Sequence, residues 1–318
     1  MPFIDMPLSE LMTYQGSSPL PDDFDNYWQT AMDEMINVKP EMKLQLASMQ
    51  FPGTTCYDMT FTGVRGSRIY AKYLRPAKTN DPVPAVILFH GYSDQSGDWF
   101  DKLSFVSAGY AVFAMDCRGQ AGRSNDMGSV LGTTLRGHII RGLDDNAENL
   151  LFRQIFLDSA QLAGLVMNMD GIDISRVSVS GGSQGGALAT VLAALEPRIY
   201  RAAIRFPFLS DYRRVWEMDL AKNAYEELSY YFRRIDPLHL REKEVFNRLG
   251  YIDVQNFASK IKANVLFIAT LIDEVCPPST QFAVYNKILS PKQLLVYPDY
   301  AHETPPGCMD QIMLFLTE

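Results

Sequence analysis

Gly181-Gly182-Ser183-Gln184-Gly185 places one hydroxyl among glycines, where a β-branched run (Val177 to Ser180) gives way to an alanine-rich run (Ala187 to Leu195). A serine so placed can serve as a nucleophile if the chain turns sharply from strand into helix around it. Side chains at Gly181 and Gly185 would then collide with neighbours as the two elements close up. The helix N-terminus would direct positive partial charge to the oxygen that becomes negative when a carbonyl is attacked. A phosphate-binding turn is the competing use of such a stretch. Neither G-x-x-x-x-G-K-S/T nor G-x-G-x-x-G with a later acidic partner is present to support it.

A serine nucleophile needs an imidazole to take its proton and a carboxylate to orient that imidazole. The sequence has four histidines, His90, His138, His239 and His302, and two of them follow Ser183. His239 sits in "DPLHLREKEV", a context that favours a surface or hydrogen-bonded structural role. His302 sits in "VYPDYAHETPPG", where Pro298, Pro305 and Pro306 enforce a loop after an apolar run. The preceding apolar run, "NVLFIATLIDEVCPPST", ends with Asp273 and Glu274, and Asp273 comes first. The expected order is therefore Ser183, Asp273, His302. No metal and no cofactor are expected. The histidines lack i, i+3 or i+4 pairing, and His302-Glu303 meets Pro306 where H-E-x-x-H needs its second histidine.

Such groups must be carried by strands that alternate with helices. Short β-rich runs occur at 85–90, 110–116, 176–180, 201–206, 264–271 and 293–298, with helical stretches at 99–108, about 145–168, 187–195, 279–289 and 307–317. "TCYDMTFTGV" and "SRIYAKYLRP" alternate around Arg65-Gly66 and predict an antiparallel hairpin leading into the sheet. Residues 20–36 read as a helical N-terminal extension, and about 207–255 as a helical insertion over the C-terminal edge of the sheet. The expected fold is α/β, with a mostly parallel sheet, helices on both faces and a Ser-Asp-His order matching α/β-hydrolases. Residues 1–318 are expected to form one such domain.

Composition narrows the function further. The chain has 318 residues, 47% hydrophobic and 21% charged, with a net charge of −8 and no basic stripe, which argues against a nucleic-acid partner. No apolar segment reaches membrane-spanning length, and "MPFIDMPLSELMTYQG" lacks the basic start of a secretory signal, so no membrane and a cytoplasmic location are expected. Cys56, Cys117, Cys276 and Cys308 are widely spaced, which favours reduced thiols, although a bridge such as Cys117 to Cys308 stays open.

"HGY" at 90–92, "RGQAG" at 118–122, "GGSQGG" at 181–186, "DEVCPPST" at 273–280 and "HE" at 302–303 together resemble the acetyl xylan esterase and cephalosporin C deacetylase family, carbohydrate esterase family seven. The likeness runs over nearly the whole chain; Ala121 departs from an expected glycine. It implies Ser183 as nucleophile, Asp273 as acid and His302 as base. It also implies backbone N–H groups of Tyr92 and Gln184 as the oxyanion donors. Small acetylated substrates and a homo-oligomer, a hexameric ring, follow from the same likeness. His90 is expected to shape the oxyanion turn, and Arg118, Gly119 and Gln120 to buttress the nucleophile turn by hydrogen bonds and an ion pair. Trp216, Tyr225, Tyr230, Tyr231 and Phe232 are expected to pack the insertion rather than stack on a sugar. An α/β-hydrolase peptidase and a non-catalytic hydrolase-like binding protein remain the alternatives. A peptidase of this kind would ordinarily bring a large extra domain, and a binding protein would have no use for a complete Ser, Asp and His set.

Overall fold

A computed structural model describes residues 4–128 and 138–318. Nine strands of these residues form one sheet: β1 (Lys43–Leu46), β2 (Thr54–Thr62), β3 (Arg68–Pro76), β4 (Val83–Phe89), β5 (Ala111–Asp116), β6 (Ile172–Gly182), β7 (Arg201–Arg205), β8 (Asn264–Thr270) and β9 (Lys292–Tyr297). Their spatial order is β1-β2-β3-β5-β4-β6-β7-β8-β9. From β5 to β9 every pair is parallel, and β1, β2 and β3 extend the sheet antiparallel from β5. The helices are α1 (Leu8–Leu11), α2 (Phe24–Ile36), α3 (Leu103–Ser107), α4 (Leu151–Met167), α5 (Gln184–Leu195), α6 (Tyr212–Glu217), α7 (Glu226–Arg234), α8 (Glu242–Leu249), α9 (Pro278–Lys287) and α10 (Cys308–Thr317).

The parallel strands are apolar on both sides because both faces are covered. Ile87, Phe113, Ile204 and Phe267 face a core built with α2, α4, α5 and α9. Their chain neighbours Val86, Val112, Ala203 and Leu266 face a second core with α3 and α10. Period-2 alternation thus splits each strand between two hydrophobic layers.

The strand runs and the hairpin predicted from sequence are present, with ends moved by a few residues. The largest shift is in β6, which begins at Ile172 rather than at 176. β1 escaped prediction because all four of its residues are exposed, so no buried face marks it. The stretch 99–108 splits into a 3-10 turn at Phe100–Lys102 and the short α3. The extension is helical from Phe24, after the separate turn of α1. Residues 207–255 carry α6, α7 and α8, and Tyr225, Tyr231 and Phe232 are buried there while Tyr230 is exposed. All four cysteines are buried and free. No helix of the described residues is long and apolar enough to cross a membrane.

Candidate active site

Ser183 occupies the turn between β6 and α5, with φ +56° and ψ −122°. A non-glycine residue there is strained by about 1–3 kcal/mol, which the surrounding structure must offset. Two hydrogen bonds clamp it. The Ser183 N–H donates to the Arg205 carbonyl at 3.1 Å, and the Phe208 N–H donates to the Ser183 carbonyl at 3.0 Å. The flanking glycines are needed for closeness rather than for a left-handed backbone. A Cβ on Gly181 would lie 2.3 Å from the Gly185 backbone, and one on Gly185 would lie 2.3 Å from the Phe89 carbonyl oxygen. α5 starts at Gln184 rather than at Ala187 for the same reason. Its first turn contains two glycines that propensity argues against, and the close approach to β4 and β7 overrides propensity.

Asp273 lies in the loop after β8 and His302 in the loop after β9, tied together where the Ile272 N–H donates to the Tyr300 carbonyl at 3.2 Å. The structure brings both to Ser183. His302 Nε2 is 3.0 Å from Ser183 Oγ, and His302 Nδ1 is 2.8 Å from Asp273 Oδ2. Asp273 is fully buried, and its other oxygen accepts the N–H groups of Val275 and Cys276, each at 2.8 Å. A carboxylate so engaged only accepts, so Nδ1 carries the imidazole proton and Nε2 is left to accept from the serine hydroxyl. The His302 ring packs at 5.0 Å from Phe206. Glu274 and Asp299 are exposed.

Asp273, Cys276 and His302 also bring ligand-type atoms within 4.8 Å of one another. The carboxylate and imidazole already bond each other, and burial pushes the Cys276 thiol well above its ordinary pKa. A carboxylate and an imidazole already bonded to each other, beside a thiol held protonated, suit a cation poorly.

On the other side of the serine, Gln184 opens α5, where backbone N–H groups lack intrahelical partners, and Tyr92 follows β4 in the Gly91 turn. His90 braces this turn. Its Nδ1–H donates to the Gly91 carbonyl at 2.7 Å, and its Nε2 accepts the Cys117 N–H at 3.0 Å. Burial lowers the His90 pKa, in keeping with a neutral ring. Gln120 links both sides. Its Oε1 accepts the Ser93 N–H at 2.9 Å, and its Nε2 donates to Gln184 Oε1 at 2.8 Å. Gly119 supplies a positive φ of +69° in the same turn.

Arg118 is placed differently from the expectation. Its ion pair does not reach the nucleophile turn; Nε and Nη2 each donate to an Asp158 oxygen at 2.6 Å, which fastens the segment to α4.

His138, which the sequence left without a role, packs edge-on against Tyr92 at 5.1 Å, with Nε2 at 3.1 Å from Ser93 Oγ. Burial, with Arg141 second, pushes its pKa down to about 4. Phe208 meets the other side of Tyr92 at 5.3 Å. No local pattern around His138 announces this contact. His239 stacks on Phe232 at 4.6 Å and lies 3.0 Å from Glu242 Oε2, a structural placement.

A doubly covered, mostly parallel sheet of this order, with its serine on a strained strand-to-helix turn, is that of the α/β-hydrolases. The whole chain, residues 1–318, matches the family model described as acetyl xylan esterase (AXE1). It is similar to acetyl xylan esterase 1 from Thermoanaerobacterium sp. JW/SL YS485, with 58% identity, TM-score 0.97 and 99% of each chain covered. An acetyl xylan esterase from Paenibacillus sp. R4 aligns at 35% identity and TM-score 0.94 over 98% of this chain and 99% of that one. The acetyl esterase Axe7A of Xylanibacter ruminicola is 28% identical over 99% of this chain and 74% of its own length. The chain belongs to the acetyl xylan esterase family and is a carboxylic ester hydrolase.

Proposed function

We propose that the chain hydrolyses acetyl esters of carbohydrates, such as acetylated xylo-oligosaccharides, and of related small molecules such as cephalosporin C, through Ser183, His302 and Asp273. The observation that carries this reading is the continuous relay from Ser183 Oγ through His302 to Asp273, at 3.0 and 2.8 Å. Neutral His302 takes the serine proton as Oγ attacks the acetyl carbonyl, and Asp273 stabilises the imidazolium. The N–H groups of Gln184 and Tyr92 receive the oxyanion. The tetrahedral intermediate collapses as the imidazolium protonates the leaving alcohol, leaving acetyl-Ser183. Water, deprotonated by His302, attacks that ester; acetate leaves and the serine regains its proton.

The chain is read as a homo-hexamer acting on small acetylated molecules. Four buried free thiols support a reducing, cytoplasmic setting. A serine-directed phosphonate should label Ser183 alone, and Ser183→Ala should lower kcat on p-nitrophenyl acetate by on the order of 10⁴-fold or more with the fold retained. Near-normal turnover by that variant would overturn the assignment.

A further inference from the structure

On the sheet face covered by α3, behind the nucleophile turn, lies a cavity of about 260 Å³. Ser180 and Gly181 line it, and so do the cationic residues Lys102 and Arg205. Lys102 is only 6% exposed, and among the described residues its ammonium makes no hydrogen bond. Its nearest carboxylate oxygen, Asp101 Oδ2, is 3.8 Å away on a side chain that is 63% exposed. Burial pulls the Lys102 pKa below the ordinary lysine value, with Asp101 the first opposing influence. Arg205 uses Nη1 to donate to Thr304 Oγ1 at 2.8 Å and its side chain also meets the Cys308 thiol, while its buried Nε has no nitrogen or oxygen acceptor among the described residues.

Two cations lining one cavity, one with a buried N–H left over and the other with no carboxylate nearer than 3.8 Å, form an arrangement that an added acceptor would stabilise. Of the other acidic groups near Lys102, Asp98 is exposed, and Asp116 is already engaged by the N–H groups of Ser96 and Arg123, each at 2.7 Å. The volume corresponds to about nine waters at roughly 30 Å³ each, enough for a small hydrated ion and below the range of pockets that enclose drug-sized ligands.

We propose that this cavity is a binding site for a small oxyanion, inorganic phosphate or a short carboxylate, held by Lys102 and Arg205. Arg205 also joins the site to the chemistry. Its carbonyl accepts the Ser183 N–H, and its guanidinium holds Thr304, two residues beyond His302. An anion on Arg205 therefore acts on the backbone of both groups, and its occupancy should change turnover through positioning.

The test is calorimetric titration of the full chain with phosphate, with acetate and with chloride at matched ionic strength, which reads binding independently of hydrolysis. Phosphate or acetate should bind saturably and chloride should not; which of the two oxyanions binds tighter identifies the source. Lys102→Met should weaken binding at least 10-fold, whereas Asp101→Asn, which removes the competing carboxylate at an exposed position, should tighten it several-fold. If Lys102→Met fails to fold, Asp101→Asn decides. Absence of saturable binding to the wild-type chain, or affinities unchanged in the folded variants, overturns the proposal.

Discussion

Gln120 and Gln184 grip each other amide to amide, with Gln120 Nε2 at 2.8 Å from Gln184 Oε1, while Gln120 Oε1 accepts the Ser93 N–H. One side chain thus fixes the spacing between the turn that carries Tyr92 and the first residue of α5. These hold the two proposed oxyanion donors. Gln120→Ala should lower kcat on p-nitrophenyl acetate roughly 10- to 100-fold with KM little changed, since small misplacement of donors affects the transition state most. A change in KM alone would show that Gln120 acts on substrate binding instead.

Asp273 should be separable from its acidic neighbours. Asp273→Asn keeps the shape but favours the wrong imidazole tautomer, and should reduce kcat by on the order of 10⁴-fold. Exposed Glu274 and Asp299 should tolerate Gln and Asn with activity near wild type. Steady-state kinetics of the three variants checks this, and a severe loss in Asp299→Asn would reassign the acid.

Arg118 and Asp158 should matter for stability before activity. Both are buried, at 1% and 0% exposure of their side chains, and two 2.6 Å hydrogen bonds join them. Asp158→Asn leaves the buried guanidinium only Asp126, whose Oδ1 lies 3.9 Å from Arg118 Nη1, as a counter-charge, and should cost about 3–5 kcal/mol. Urea unfolding measures it; a loss below about 1 kcal/mol would mean that the pair is readily replaced by solvent or by Asp126.

Glu227 sets a pH dependence. Burial, opposed by backbone N–H donors at Ile140, Ile139 and His138, pushes its pKa up to about 8 from an ordinary 4.5. Between about pH 5 and 8 the folded chain keeps a proton that the unfolded chain releases, so stability from this group falls as pH rises through that window. Glu227→Gln retains an oxygen for the Ile139 and Ile140 N–H groups and removes the titration. The decline in urea midpoint from pH 5.5 to 8.5 should be smaller in the variant, by about one to a few kcal/mol in unfolding free energy. Parallel declines would exclude Glu227 as a source.

Acyl length should be restricted. The proposed acetyl specificity implies an acyl site sized for a methyl group, which would admit longer chains only with strain of about 1–3 kcal/mol, so p-nitrophenyl butyrate should lose roughly 5- to 150-fold in kcat/KM. A preference for the octanoate would indicate a lipase-like groove.

Much of this was legible in sequence because parallel strands covered on both faces are continuous apolar runs, and because loop-forming residues follow them at Asp273 and His302. The order Ser183, Asp273, His302 therefore pointed to one meeting place. What escaped depends on tertiary approach. β1 has no buried face, α5 begins in glycines chosen for closeness, and Arg118 finds its partner forty residues away on α4. His138 reaches Tyr92 across a fold that no local pattern encodes. The burial of Lys102 was likewise invisible, since a single lysine before a short helix carries no sign that its side chain is covered.

Ser183 and His302 are 119 positions apart in the chain, one after the interior strand β6 and the other after the edge strand β9. During synthesis the serine turn is complete long before its imidazole has been made. A nascent or truncated chain that ends before the last loop carries the hydroxyl and the strained backbone but not the imidazole proposed as its base. On the proposed mechanism, activity requires β8 and β9 to be in place beside β7. Contacts this distant in sequence also slow folding, because loop closure must precede the interactions that stabilise it. Recovery of esterase activity after denaturation accordingly reports the closing of the sheet, where recovery of helical signal does not.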